Sequence, residues 1–164
     1  MKPVFYSYVE SPIGPLLLSG TEQHLKGLYF STGSKARGPD PQWRQADTVF
    51  VAARTQLDEY FAGERKVFDL DLAPEGTPFK RRVLAALQDI PFGETRSYGE
   101  IAVAIGNPKS VRAVGSANGN NPIALIIPCH RVIGSNGSLT GFGGGLETKR
   151  FLLEFETQHS GLWA

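Results

Sequence analysis

Residues 97–118 read Ser-Tyr-Gly-Glu-Ile-Ala-Val-Ala-Ile-Gly-Asn-Pro-Lys-Ser-Val-Arg-Ala-Val-Gly-Ser-Ala-Asn, a stretch that predicts two short helices and a tight turn. Ser97-Tyr98-Gly99-Glu100 has the spacing of a capping box, with Ile101, Ala102, Ala104 and Ile105 as the apolar side of the first helix. Gly106 and Pro108 end it. A second helix is predicted from about Ser110 to Asn118. Two short helices joined by Gly106-Asn107-Pro108-Lys109 fit a helix-turn-helix, whose second helix commonly lies in a DNA groove; a plain helical hairpin has the same spacing. The second helix carries Ser110, Ala113, Gly115, Ser116 and Ala117, all small. Such residues admit a closely approaching ligand or a closely packed neighbour equally well.

Upstream, Thr77 is placed to cap a helix with Pro78 at its first position and Phe79, Val83, Ala86, Leu87 and Ile90 as its buried stripe. The turn-rich Ala73-Pro74-Glu75-Gly76-Thr77 precedes it, so two units are expected, residues 1–73 and 77–164. The first unit reads as β then α. Val4–Glu10, Pro15–Gly20 and Leu25–Phe30 are β-rich runs whose short connections favour an antiparallel meander. Ser31 to Pro41 reads as loop. From Val49 the period changes, with Phe50, Ala53, Leu57, Tyr60 and Phe61 on one helical face and Gly63 where a C-cap belongs. Nothing in this half looks catalytic, and it reads as a support domain.

Downstream, Pro122 to Pro128 encloses the apolar run Ile123–Ile127, which is expected to cross the core and deliver Cys129-His130-Arg131. The glycine-rich segment from Gly134 to Gly145 reads as a mobile or ligand-hugging loop. A last amphipathic helix is predicted from about Glu147 to Thr157, burying Phe151, Leu152 and Phe155.

Composition excludes several classes. The 164 residues are 41% hydrophobic and 20% charged, which rules out wholesale disorder. No apolar run approaches the roughly 18 residues of a membrane span. The opening MKPVFYSYVESPIG is broken by Glu10 and two prolines and does not read as a signal peptide. A cytoplasmic protein without membrane contact is expected. Residues 1–76 carry 8 basic and 10 acidic groups, and residues 77–164 carry 9 and 6. That asymmetry leans weakly toward a polyanion partner for the second half.

The chain has one cysteine and three histidines. A lone Cys129 forms no internal disulfide, and no zinc spacing is present, so neither a disulfide scaffold nor a metal is expected. A single cysteine is usually an inert buried hydrophobe. A reactive one needs a base or positive field nearby, and His130 and Arg131 follow directly. Adjacent side chains on an extended backbone point apart, so a Cys129–His130 pairing needs a tight turn or a bridging water.

At this point several ordered motifs resemble one family. Pro128-Cys129-His130-Arg131-Val132-Ile133-Gly134 is similar to the active-site signature of the O6-alkylguanine-DNA alkyltransferases. Ser-Pro-Ile-Gly-Pro at 11–15, Tyr-Phe-Ala-Gly-Glu at 60–64 and Gly-Thr-Pro-Phe at 76–79 extend the likeness. So do residues 90–101, Gly-Asn-Pro-Lys-Ser-Val-Arg-Ala-Val-Gly at 106–115 and Asn-Pro-Ile at 121–123. The resemblance implies an α+β fold: a small antiparallel ribonuclease H-like sheet with a helix, then a mostly helical, winged-helix-like helix-turn-helix domain. It implies single-use repair without a cofactor. The thiolate takes the alkyl group from O6-alkylguanine, with O4-alkylthymine a second possible substrate, after the base has been flipped out of double-stranded DNA.

The resemblance also assigns roles. Cys129 would be the acceptor, His130 the base acting through a water, Glu156 the carboxylate orienting it, and Asn121 the brace of the active-site turn. Tyr98 would donate to the departing guanine and touch a phosphate. Arg112 would fill the space left by the extruded base. Ser110, Ala113, Gly115, Ser116 and Ala117 would face the minor groove, and Phe142, Val132 and Gly143 would line the substrate pocket. A monomer, cooperative on DNA or not, is expected. Phe142 stands where the family usually has Tyr, Leu84 replaces a common Trp, and the zinc-ligand cysteines of some members are absent. Two rivals differ in class. A damage-marking protein of the alkyltransferase-like kind lacks the acceptor thiol, which Cys129 supplies; a cysteine hydrolase would turn over.

Overall fold

The three β-rich runs pair as their short connections require. In the computed structural model, which describes residues 2–139 and 142–160, β1 (Phe5–Val9), β2 (Leu16–Gly20) and β3 (Leu25–Tyr29) form an antiparallel meander. A fourth strand, β4 (Arg44–Gln45), joins β1 in parallel, so the sheet is mixed, in the order β3-β2-β1-β4. Two residues in a polar segment carry no alternation, and the sequence did not mark this strand. One turn of 3₁₀-helix leads into α1 (Val51–Phe61), which turns Ala53, Leu57 and Tyr60 inward at helical spacing. Gly63 ends the helix with φ +78°.

The second half is helical. Thr77 Oγ1 accepts from the Lys80 N–H at 3.1 Å at the head of α2 (Pro78–Gln88), a cap typically contributing about 1 kcal/mol. β5 (Arg96–Ser97) leads into α3 (Tyr98–Ala104), where both arms of the capping box form: Glu100 N–H to Ser97 Oγ at 3.0 Å and Ser97 N–H to Glu100 Oε1 at 2.9 Å. α4 (Val111–Gly119) follows, and α2, α3 and α4 pack on one another. After a 3₁₀ turn, Cys129–Arg131, β6 (Val132–Ile133) pairs in parallel with β5, and α5 (Leu146–His159) closes the described chain. The architecture is α+β, a small mixed sheet with one helix followed by a helical half. No helix among the described residues is long and apolar enough to cross a membrane.

One apolar core runs through both halves, joining Leu16, Leu28 and Leu57 to Val83, Val114 and Ile127. Backbone bonds stitch the halves together at the point that matters for the site. The Leu28 N–H donates to Pro122 O at 2.9 Å, and the Ala124 N–H donates to Leu28 O at 3.3 Å. The apolar run is thereby fixed to the edge of β3.

The inward face of α5 is only partly the expected one, with Leu152 buried as expected. Lys149, Leu152 and Glu156 are buried, whereas Phe151 lies at the surface and Phe155 is half-buried. The face is rotated rather than reversed: Lys149 and Glu156 share the inside with Leu152, because both charged residues have buried partners.

Candidate active site

The apolar run does not cross the core as a strand. It turns. Ile127 N–H donates to Ile123 O at 3.0 Å, and Asn121 spans the turn: its Nδ2 donates to Ile127 O at 2.8 Å and its Oδ1 accepts from the Ile123 N–H at 3.0 Å. Leu125, inside the turn, has φ +70°, the one non-glycine residue among those described with a left-handed backbone. Such a conformation costs roughly 1–2 kcal/mol, held here by burial of Ile123, Leu125 and Ile127 and by the Asn121 bonds.

The turn delivers Cys129 at the start of a 3₁₀ turn, Cys129–Arg131, buried throughout. Burial pushes the Cys129 thiol up, while hydrogen bonds from the Asn121 side chain and the Leu125 backbone and the charge of Lys149 pull it down. Burial wins, so this thiol stays protonated until a base takes the proton.

His130 and Arg131 meet Glu156, which arrives from α5. His130 Nε2 lies 2.7 Å from Glu156 Oε2, and Arg131 donates through Nε to Oε1 at 2.8 Å and through Nη2 to Oε2 at 3.0 Å. Arg131 Nη1 also donates to Ile90 O at 2.7 Å. Burial alone would raise the Glu156 carboxyl, but His130 and Arg131 outweigh it and hold the group well below the usual carboxylate range. Arg131 already balances the carboxylate charge. His130 is accordingly pushed below its ordinary value, chiefly by burial, and rests as neutral imidazole. With Nε2 engaged, its buried Nδ1 has no partner among the described residues and is the atom free to take a proton.

Lys149 is a second buried cation. Its Nζ donates to Val132 O at 2.6 Å, and burial lowers its pKa while Cys129 raises it. A third contributor comes from the other half of the chain: the Tyr60 hydroxyl donates to Glu156 Oε2 at 2.7 Å.

A pocket of about 400 Å³, counting the space open to solvent at its mouth, lies beside the thiol, lined by Phe30, Lys35, Asn118, Cys129, Phe142 and Gly143 among others. Phe142 leans on Phe30 with ring centres 5.4 Å apart. Gly143 O accepts from the Lys35 N–H at 3.0 Å, so the loop after β3 forms part of the rim. Gly33 permits that approach: a Cβ there would lie 2.2 Å from Gly143 O, and its φ is +90°. Val132 was expected in this pocket. It is fully buried in β6 and absent from the lining, its carbonyl held by Lys149. Thr140 and Gly141 of the glycine-rich segment lie outside the described residues.

α4 places Arg112, Ala113 and Ser116 on the exposed side, with Gly115 and Ser110 half-buried. Ala117 does not belong to that face. It is 7% exposed and packs inward with Val114, three residues before it on the same side of the helix. Tyr98 is half-buried, its ring about 4 Å from where a Gly115 Cβ would stand. Sequence reasoning thus missed Tyr60, Arg131 as a bound partner, Lys149, Lys35 and Asn118. Lys149 left a trace as a charge three residues before Leu152 and seven before Glu156, Tyr60 as a member of the inward helical face, and Arg131 as the charge that follows Cys129-His130.

The chain matches two family models: residues 4–74 match the 6-O-methylguanine DNA methyltransferase ribonuclease-like domain, and residues 78–158 the DNA binding domain of the same family. It is 56% identical over 153 residues to a methylated-DNA–protein-cysteine methyltransferase of Methanosarcina acetivorans, covering 93% of this chain and 98% of that one. A protein of the same description from Haemophilus influenzae is 46% identical over 159 residues, covering 95% and 88%. Among solved structures, the O6-methylguanine methyltransferase of Mycobacterium tuberculosis superposes with a TM-score of 0.89 at 50% identity, covering 97% and 96%. The same bacterium's protein in complex with DNA gives 0.89 at 50% identity, covering 94% of each chain.

Proposed function

The chain belongs to the 6-O-methylguanine DNA methyltransferase family, and on that premise we propose that Cys129 takes the alkyl group, once and irreversibly, from O6-alkylguanine in DNA. The protein binds DNA and repairs it by direct reversal, with the activity of a methylated-DNA–protein-cysteine methyltransferase. The observation that carries Cys129 is its position: the chain's single thiol lines the pocket next to a histidine whose Nδ1 has no partner among the described residues.

In the reaction, the thiol proton passes to His130 Nδ1, through a water, as Glu156 holds Nε2. The sulfur forms a bond to the alkyl carbon while the carbon–O6 bond breaks, and its electron pair stays with the purine. The proton returns from His130 to the purine, giving guanine and a thioether. Tyr98 donates to the base as charge grows on it, and Lys149 favours the thiolate. A thioether sulfur is a poor leaving group, so the step does not reverse and the protein is consumed.

The DNA mode follows from α4. Its exposed, small side enters the minor groove, Arg112 fills the space vacated by the flipped base, and Phe142 with Gly143 walls the base beside the sulfur. Residues 77–164 carry the site and the groove contacts, with residues 1–73 bracing them. The protein acts as a monomer in the cytoplasm.

The test is intact mass after mixing with duplex DNA carrying O6-methylguanine. One methyl per molecule on Cys129 is expected, with none on a Cys129→Ser variant that still binds the lesion. Continued turnover, or a methyl on another residue, would refute the assignment.

A further inference from the structure

Tyr60 lies 96 positions before Glu156, in the half that reads as support, yet its hydroxyl donates to the carboxylate oxygen that His130 also uses, each at 2.7 Å. Its placement leaves no freedom. The residue is fully buried, and its ring is gripped by Phe61 at 5.0 Å, Phe155 at 5.4 Å, Phe68 at 5.6 Å and Phe92 at 6.0 Å. A phenol packed only for its apolar area would be as well served by Phe. Here the oxygen is spent on one atom.

The electrostatics of that atom decide what the hydroxyl does. Glu156 Oε2 accepts from His130, Tyr60 and Arg131 Nη2, and Oε1 accepts from Arg131 Nε and, at 3.4 Å, from the Gly93 N–H. An ionised carboxylate offers about four acceptor positions, so every direction is taken. Each donor lowers the basicity of the oxygen it binds. Burial holds the phenol far above its ordinary pKa, so Tyr60 is a donor and never an anion. The charged groups facing the pair are Arg131 on the 3₁₀ turn and Lys149 on α5, with the Cys129 thiol beside them.

We infer that Tyr60 is a positioning residue of the His130–Glu156 pair: its hydroxyl fixes Oε2 and limits that oxygen's pull on the imidazole proton, setting the pH at which His130 becomes charged. The first half of the chain thus contributes a group to the catalytic relay. This rests on the reading that His130 serves Cys129.

The experiment uses the full chain with Tyr60→Phe, which removes one oxygen and keeps the ring. With that donor lost, Oε2 becomes more basic and holds the imidazolium more firmly. The His130 midpoint followed by NMR should rise by about half to one pH unit, the equivalent of one hydrogen bond. The acid limb of the single-turnover transfer rate should move up with it, while affinity for undamaged DNA stays unchanged. Site-specific 3-fluorotyrosine at position 60, a stronger donor, should move the midpoint downward. A lowered melting temperature with an unmoved midpoint would make Tyr60 a packing residue and overturn the inference. The NMR titration needs no substrate, so failure of Cys129 to accept a methyl would be recognised separately.

Discussion

α4 and α5 are both amphipathic helices with charged residues, and they dispose of those charges in opposite ways. α4 leaves Arg112 outside, surrounds it with small exposed residues, and buries Val114, Ala117 and Asn118. α5 buries Lys149 and Glu156 on either side of Leu152. A charge removed from water is costly unless hydrogen-bonded and paired. The α5 charges meet that condition through Arg131, His130, Tyr60 and the Val132 carbonyl, and the result is a dry, fixed network next to the thiol. The α4 charge has no hydrogen-bonding or ionic partner among the described residues and stays exposed to solvent. Proton transfer to a defined atom needs the first arrangement. Engagement of a mobile duplex needs the second.

That contrast can be broken most directly at Glu156. Glu156→Gln leaves the Arg131 guanidinium buried without its counter-charge, and breaking a buried pair in this way costs about 3–5 kcal/mol. Urea unfolding of wild type and variant measures it; a loss within about 0.5 kcal/mol, the usual size of a surface change, would mean the network is not dry.

Arg112→Ala should do the reverse, leaving the urea midpoint unchanged and acting only on DNA. If Arg112 replaces the flipped base, extrusion becomes costlier by about 1–3 kcal/mol, or roughly five- to 150-fold in transfer from duplex. Transfer from single strands should be spared. Equal loss on both substrates would remove the wedge role.

Acid separates the two helices again. The Glu156 and His130 values are both lowered in the folded protein, so their stabilising contributions are present above the unfolded values and lost as pH falls. Stability should therefore decline first below about pH 6.5, where an unfolded histidine gains a proton, and further below about 4.3, where an unfolded carboxyl does. Urea midpoints across that range should show both stages, and Arg112→Ala should leave the profile unaltered.

The smallest effect is expected at the rim. Phe142 packs on Phe30 and lines the cavity with Cys129, but it has no hydroxyl for O6. One hydrogen bond is worth about 0.5–1.5 kcal/mol, so Phe142→Tyr should raise the single-turnover rate by up to roughly tenfold. A slower Tyr variant would place Phe142 away from O6.

Much of the fold was legible in the sequence because it rests on local rules. Thr77 with Pro78, the Ser97–Glu100 box and Gly63 mark helix ends by bonds that reach at most four residues, and the meander announces itself through short turns. Cys129, His130 and Asn121 were readable because they sit within nine positions of one another in a recognisable order. β4, the inward face of α5 and the exclusion of Val132 from the cavity were not. Each depends on a partner distant in the chain: β1 for β4, Tyr60 and Arg131 for Glu156, and Lys149 for the Val132 carbonyl.

The sequence by itself determined most of the elements, the single candidate thiol and the family resemblance, since periodicity, capping and an ordered motif are properties of neighbouring residues. Only the tertiary structure decided which charges are buried, which ring nitrogen of His130 has no partner among the described residues, and that the supposed support half reaches Glu156 through Tyr60. Burial and pairing of charge are properties of the packed whole: a carboxylate on a helix reads as solvated until the opposing hydroxyl, guanidinium and imidazole are brought within 3.0 Å of it.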